Sequence, residues 1–118
     1  MKNKLILITN QGLHPVIPKL KKQYGENCKF IILTEGNVEL SKNFAKNIAK
    51  KTKDIIFDNL DMEIFVVWTG MPIYNTVVFN TAKEVTKKEP TALLWNKDLD
   101  SYEEYNLNPR ELIFGELK

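Results

Sequence analysis

The chain has 118 residues, of which 43% are hydrophobic and 27% are charged, and its net charge is +2. These values are typical of a globular protein, and we predict a single domain spanning residues 1–118. The small net charge argues against binding of long duplex nucleic acid, which favours strongly basic proteins, and remains compatible with a small anionic ligand. The single cysteine excludes an intramolecular disulfide.

The first predicted strand covers residues 5–9, LILIT, whose apolar residues do not alternate with polar ones. Such a run is typical of a parallel strand that is buried on both faces. It is too short for a signal peptide or a membrane span, so we expect a cytoplasmic protein with no membrane partner. Pro15 then favours the start of a first helix, which runs to about Tyr24 and stops at Gly25. The lysine run at 19–22 is interpreted as a solvated face of this helix.

A second strand is predicted over residues 29–33, KFIIL, and Asn37 in the following turn is the predicted N-cap of a second helix. This helix has apolar residues at intervals of four, which would form one face: Leu40, Phe44 and Ile48. Residues 55–62 fit neither the helical nor the strand period. No element is therefore assigned to them.

A third strand is predicted over residues 63–68, EIFVVW, followed by a helix from about Ile73 to Lys88. TALLW at 91–95 is a fourth strand, and RELIF at 110–114 is a candidate fifth strand. We therefore predict an α/β, three-layer Rossmann-like domain with a mainly parallel sheet of four to five strands. Right-handed crossovers would place the strand-to-helix turns at one end of that sheet, where ligands bind in such folds.

Hydroxyl, amide and glycine residues cluster in the turns at that end of the sheet. Glycine allows close approach of a ligand to the backbone, and the free N–H groups at a helix start favour an anion such as phosphate. The same residue types also make ordinary turns, so a structural role for any one turn stays open. The predicted ligand contacts are Thr9, Asn10, Gln11, Gly12, His14, Thr34, Thr69, Gly70, Met71, Pro72, Asn75, Asn96 and Lys97.

No catalytic residue, metal site or cofactor is assigned from the sequence. His14, the only histidine, could act as a general base or contact a phosphate, but no acidic partner lies near it in the sequence. Cys28 fits a small buried hydrophobic position, and the acidic residues between 54 and 63 match no metal-binding loop. Trp68 and Trp95 end neighbouring predicted strands, where they could stack on a base or close the core.

Two segments, LILITNQGLHPVIPKL and FVVWTGMPIYNTVVFNTAKEVTKKEPTALLW, resemble the small Rossmann-like, CARF-related proteins of type III CRISPR systems. The matching positions are Asn10, Gln11 and His14, then residues 69–72, then residues 90–95. Proteins of that family bind, and in part degrade, cyclic oligoadenylate. The resemblance implies a homodimer whose two crevices cup a ring-shaped ligand such as cyclic tetra-adenylate in antiviral signalling, either sequestering it or cleaving it slowly without metal.

The family's serine–histidine pair after the first strand is not reproduced, because Gly12 and Leu13 separate Gln11 from His14. The resemblance therefore implies ring nuclease activity less directly than it implies binding. The alternative is a flavodoxin-like interaction module that binds a partner protein and no nucleotide.

Overall fold

The computed structural model describes residues 3–12 and 15–115. In this part of the chain, five strands and four helices follow one another as β1 (Lys4–Ile8), α1 (Val16–Tyr24), β2 (Lys29–Ile32), α2 (Lys42–Phe57), β3 (Glu63–Val67), α3 (Pro72–Thr86), β4 (Thr91–Asn96), β5 (Ser101–Tyr105) and α4 (Pro109–Phe114). The strand order is β2-β1-β3-β4-β5, with β5 antiparallel to β4 and the other pairs parallel. The predicted Rossmann-like α/β fold is confirmed.

Helices cover both faces of the sheet. On one face, Ile6 and Ile8 of β1 pack with Val16 and Leu20 of α1. On the other face, the intervening β1 residues pack against α2 and α3 in a cluster that includes Leu5, Leu7, Ile48, Ile56 and Val78. Successive strand residues point to opposite faces, so an unbroken apolar run is what a strand between two helical layers requires. No helix of the described residues has the length and apolar character needed to cross a bilayer.

The predicted end of α1 is confirmed. Gly25 follows the helix with φ +85°, and its amide donates to the Lys21 carbonyl oxygen at 2.8 Å. That backbone conformation is rare for residues with a side chain, which explains the glycine. The helix begins one residue later than predicted, because Pro15 has extended backbone and occupies the N-cap position.

The predicted N-cap of α2 is wrong. Ser41, not Asn37, caps this helix, and its hydroxyl accepts a hydrogen bond from the Phe44 amide at 3.0 Å. The Tyr74 hydroxyl donates to the Glu39 carbonyl oxygen and accepts from the Ser41 amide, which fixes the segment before the helix outside helical geometry. Leu40 consequently precedes α2 and is exposed.

The unassigned segment divides between helix and turn. Residues 55–57 are the last turn of α2, which ends at Phe57, and residues 58–62 form the turn into β3. Ile56 is fully buried among the residues of the α2 and α3 face.

The predicted fifth strand at 110–114 is also wrong. These residues belong to α4, which Asn108 starts by accepting from the Arg110 amide at 2.9 Å, with Pro109 at the first helical position. The fifth strand is β5, where Trp95 pairs with Tyr102 and Leu93 with Glu104. An edge strand has a neighbour on one side only and tolerates charged residues, so β5 lacks the apolar run expected of a central strand.

Candidate functional site

The centre of the sheet is a topological switch point. β1 connects through α1 to β2 on one side, whereas β3 connects through α3 to β4 on the other, and β1 and β3 are neighbours. Connections that leave two adjacent parallel strands toward opposite faces open a crevice beyond the carboxyl ends of those strands. The turns at residues 9–12 and 69–72 border this opening, which is termed the switch-point crevice below.

Thr69 links the two turns that border the crevice. The Asn10 amide donates to the Thr69 hydroxyl at 3.0 Å, and that hydroxyl donates to the Asn10 carbonyl oxygen at 2.6 Å. The Thr69 amide donates to Oδ1 of Asn75 at 3.1 Å, and Nδ2 of Asn75 donates to the Met71 carbonyl oxygen at 3.2 Å. Asn75 is only 3% exposed. Thr69 and Asn75 thus hold the turn after β3 in place.

Hydrogen bonds extend the same rim to the turn after β2. Nδ2 of Asn10 donates to the Gly36 carbonyl oxygen at 2.9 Å, and the Thr34 hydroxyl donates to the Thr9 carbonyl oxygen at 2.7 Å. The Gln11 amide donates to the Thr34 carbonyl oxygen at 2.8 Å, and the Gly36 amide returns a bond to the Gln11 carbonyl oxygen at 3.0 Å. The turns after β1, β2 and β3 therefore form one connected structure.

Gly70 fits a position that no larger residue could occupy unchanged. Its φ is +75°, and a Cβ built there would lie 2.9 Å from both Cβ and Nδ2 of Asn10. Gly12, by contrast, is exposed, and no atom of the described residues lies within 4 Å of the position of a Cβ there. Contacts among the described residues therefore require a glycine after β3 and do not require one at Gly12.

Three polar atoms at the rim have no hydrogen-bond partner among the described residues: the hydroxyl of Thr9, Oδ1 of Asn10 and the indole nitrogen of Trp68. Thr9 and Trp68 follow the paired strand ends Ile8 and Val67, so they lie side by side on neighbouring strands. Thr9 is 1% exposed. A buried polar atom that no protein group satisfies is a point where a site can engage a ligand atom or water.

The two helices that start beside the crevice have no side-chain cap. The N-caps of α1 and α3 are Pro15 and Met71, neither of which makes a side-chain capping bond, and neither first turn contains an acidic residue. Pro72 occupies the first position of α3. The amino end of a helix carries a partial positive charge, so two such starts beside one crevice favour an anion there.

Asn96 and Lys97 lie at the same end of the sheet, in the turn between β4 and β5. Oδ1 of Asn96 accepts from the amides of Asp98 and Leu99 at 2.9 and 3.2 Å, and its Nδ2 donates to Glu103. Asn96 therefore shapes the turn, while Lys97 is exposed. A ligand contact by either residue stays a prediction.

Two cavities flank the bonded pair of Asn10 and Thr69. The cavity on the β2 side has a volume of about 770 Å³ and is lined by Asn10, Gln11, Gly12, Glu35, Gly36 and Asn37. The cavity on the α1 side has a volume of about 350 Å³ and is lined by Pro15, Val16, Lys19, Thr69, Trp95 and Tyr102. The lining of the first cavity includes the Glu35 carboxylate, and the lining of the second includes the Lys19 ammonium, which lies 3.7 Å from the Asp100 carboxylate, so the α1 side is the less acidic of the two and suits an anionic ligand better.

Sequence reasoning missed Lys19 and Tyr102 in this region. Lys19 lies in a lysine run that resembles a solvated helix face, and Tyr102 lies in the polar segment of the unforeseen strand β5. The two residues are close only in the folded chain, where both line the cavity on the α1 side. The sequence did offer one signal for Lys19: it lies one turn into the helix that follows the carboxyl end of β1.

Of the other predicted groups, His14 lies outside the described residues, and its role stays a prediction. Cys28 is half-buried, with its Sγ 3.7 Å from the Tyr24 carbonyl oxygen. Within residues 3–12 and 15–115, no three His, Cys, Asp or Glu side chains are grouped so that they could hold a metal ion.

Comparison of the chain with protein-family models, with curated proteins and with solved structures finds no match.

Proposed function

We propose that this protein binds a small nucleotide phosphodiester in the switch-point crevice, with a phosphate between the starts of α1 and α3. The observation that carries the proposal is the pair of uncapped helix starts on the two sides of a topological switch point. This arrangement offers the positive ends of two helix dipoles to one anion. The phosphate would interact favourably with the positive ends of both helices, and no carboxylate in either first turn would repel it.

The hydrogen-bonded rim supports binding with little reorganisation. Asn10, Thr69 and Asn75 are already fixed by bonds to one another and to backbone groups. A site that is ordered before the ligand arrives loses less conformational entropy on binding. Gly70 is exposed and has no side chain, so a phosphate can approach its main chain from the solvent side, while Asn10 fills the position of the missing Cβ.

The resemblance of the β1 and β3 turns to the CARF-related proteins supports a specific ligand, cyclic oligoadenylate, with cyclic tetra-adenylate as the first candidate. The proposed setting is the cytoplasm, in type III CRISPR antiviral signalling. A homodimer would place two crevices around one ring, and each chain would contribute the same turns. The proposal includes no cofactor.

We propose ligand binding as the main activity and cleavage, if any, as a slow secondary one. Metal-independent cleavage needs a ribose 2′-hydroxyl aligned with the phosphorus and donors that stabilise the developing charge. In the described part of the rim, Asn10, Thr69 and Asn75 present amides and a hydroxyl that are bonded to one another. These groups suit sequestration of the ligand or, at most, slow turnover.

The test uses purified protein with labelled cyclic tri-, tetra- and hexa-adenylate in the presence of EDTA. We expect saturable binding of cyclic tetra-adenylate, and a time course of product formation then separates sequestration from a ring nuclease. Absence of both binding and cleavage with all three rings would reject the proposal.

Variants of the rim make the same assay specific to the site. Thr69→Ala or Asn10→Ala should weaken binding about tenfold, because the first loses both bonds of the Thr69 hydroxyl to the Asn10 main chain and the second loses the bond from Nδ2 to the Gly36 carbonyl oxygen. Thr81→Ala is the matched control: its hydroxyl donates to the Val77 carbonyl oxygen within α3, away from the crevice. Unchanged affinity in both rim variants would reject the site while leaving ligand binding itself intact.

A second candidate function is favoured by α4. Its apolar side chains Leu112, Ile113 and Phe114 are all more than half exposed. Such a surface suits an interaction module that binds a partner protein and no nucleotide. This candidate gains support if no ring binds in the assay and if Phe114→Ser abolishes a self-association that wild-type protein shows by sedimentation, which would make a second copy of the chain the partner.

A further inference from the structure

The cavity between α1 and the β4–β5 hairpin has the composition of a base-binding site. It is lined by Pro15, Val16, Lys19, Thr69, Trp95 and Tyr102 and is termed the Trp95 groove below. Its volume of about 350 Å³ lies within the range, roughly 300–1,000 Å³, of small-ligand sites. Apolar walls with a few polar groups are characteristic of such sites.

Two aromatic rings form the floor of this groove. Trp95 and Tyr102 are directly paired across β4 and β5, with ring centroids 5.0 Å apart and planes inclined at 67°. Tyr102 is buried, whereas Trp95 remains 38% exposed. The edge-to-face contact fixes the indole and leaves part of its surface open to a planar ligand.

Lys19 brings a positive charge to the same indole. Its Nζ lies 4.4 Å from the Trp95 ring centroid and 3.7 Å from the Asp100 carboxylate. Both charged side chains are well exposed, so these contacts are weak and reversible. A base that stacks on Trp95 can displace the ammonium from the ring, and the released cation is then available to a phosphate.

Thr69 connects this groove to the crevice. It lines the groove and also forms the paired hydrogen bonds with Asn10 at the rim. The corresponding cavity on the β2 side contains the Glu35 carboxylate and no aromatic side chain among its lining residues. The asymmetry in charge and aromatic content assigns the base to the α1 side.

We infer that the Trp95 groove binds the purine base of the nucleotide whose phosphate occupies the switch-point crevice, by stacking on Trp95. This inference rests on the proposed function and specifies how that ligand is recognised. Stacking on an aromatic side chain contributes about 1–3 kcal/mol per base. Purines present a larger ring surface than pyrimidines, so the groove prefers them.

The direct test follows amide and indole resonances of the wild-type protein during titration with AMP, adenosine or ribose 5-phosphate. The two tryptophans give two indole N–H signals, and Trp95→Phe identifies which belongs to Trp95. We expect AMP and adenosine to shift the Trp95 indole signal and ribose 5-phosphate to leave it unchanged. The Gly70 amide should respond to AMP and ribose 5-phosphate, which carry a phosphate.

These probes separate failure of the inference from failure of the proposed function. If AMP and ribose 5-phosphate both shift the Gly70 amide signal while the Trp95 signal does not move, the base site is overturned and the phosphate site is retained. A Trp95 response to adenosine without any Gly70 response to the phosphates would support the base site and overturn the phosphate site. If no probe moves either signal, both are overturned.

An affinity measurement with cyclic tetra-adenylate provides the second readout. Trp95→Ala should weaken binding about tenfold or more. Tyr105→Ala is the matched control, because Tyr105 is a partly exposed aromatic residue on β5 three positions after Tyr102, so it faces the other side of the sheet. Equal affinities of the two variants would overturn the base site, provided that their unfolding transitions show both to be folded.

Discussion

Asn10 connects three turns at the end of the sheet through its main chain and its side chain. It bonds to Thr69 by its amide and carbonyl groups and to the Gly36 carbonyl oxygen by its Nδ2. A polar group that is desolvated without a partner costs about 1–3 kcal/mol, so most of the amides and hydroxyls packed together in these turns bond to one another. The bonded residues position the crevice, and main-chain groups and the unpartnered hydroxyl of Thr9 are left to meet the ligand.

Gly70 provides a stability test of this packing. We expect Gly70→Ala to lower the free energy of unfolding by about 2–3 kcal/mol, because backbone strain adds to a clash with the Asn10 side chain. Gly36→Ala is the matched control: its φ of +66° is similar, but nothing lies within 4 Å of an added Cβ. It should cost only about 1 kcal/mol by strain alone. Urea unfolding measures both, and equal losses would contradict the contact with Asn10.

Tyr24 makes stability depend on alkaline pH. Burial raises the pKa of this phenol well above its ordinary value of 10.0, and the hydrogen bond that it donates to Glu104 at 2.6 Å adds to the effect. Burial also raises the pKa of Tyr102. The folded state therefore holds the phenolic protons more tightly than the unfolded chain does, and this stabilisation is complete below pH 10 and is lost as the pH rises above it.

We therefore expect the free energy of unfolding to fall above a pH of about 10, with a smaller slope in Tyr24→Phe than in wild type. The phenylalanine variant has no proton to lose at this position. Chemical denaturation at a series of alkaline pH values checks this, and identical slopes for Tyr24→Phe and wild type would contradict the role of Tyr24.

At the scale of elements, the sequence predicted the helices and strands whose hydrophobic residues recur with a local period. The central strands are continuous apolar runs, and α1, α2 and α3 have helical spacing, so they were recognised within a few residues of their ends. The N-cap of α2 depends instead on the Tyr74 hydroxyl, which lies 33 residues from Ser41. β5 is defined by its pairing with β4 and not by its own composition. Long-range contacts such as these produce no periodic pattern in the sequence.

The corrected start of α2 can be tested with two alanine variants. Ser41→Ala should lower the free energy of unfolding by about 1 kcal/mol, because the Phe44 amide loses the hydroxyl that caps it. Asn37→Ala, at the exposed position that the sequence had favoured as the cap, should change it by less than about 0.5 kcal/mol. A larger loss at Asn37 than at Ser41 would contradict the observed cap.

At the scale of the whole molecule, strand order determines where the site lies. The sequence indicated one ligand-binding end, because right-handed crossovers place the strand-to-helix turns together. It could not indicate which side of the crevice is cationic and aromatic. Lys19 and Trp95 are separated by 76 positions along the chain, and they meet only because β4 lies beside β3 on the sheet while α1 covers that face.

Ligand binding should appear as a shift of the whole unfolding transition, because a ligand that binds only the folded state stabilises the entire chain. At a free concentration a hundred times its dissociation constant, cyclic tetra-adenylate should add about 2.7 kcal/mol. For a domain of this size, that corresponds to a rise in Tm of about 10 °C. Thr69→Ala, with a dissociation constant about tenfold higher, should rise by roughly half as much at the same concentration. Equal shifts in the two proteins would place the ligand outside the switch-point crevice, and a Tm that is independent of ligand concentration would rule out binding to the folded chain.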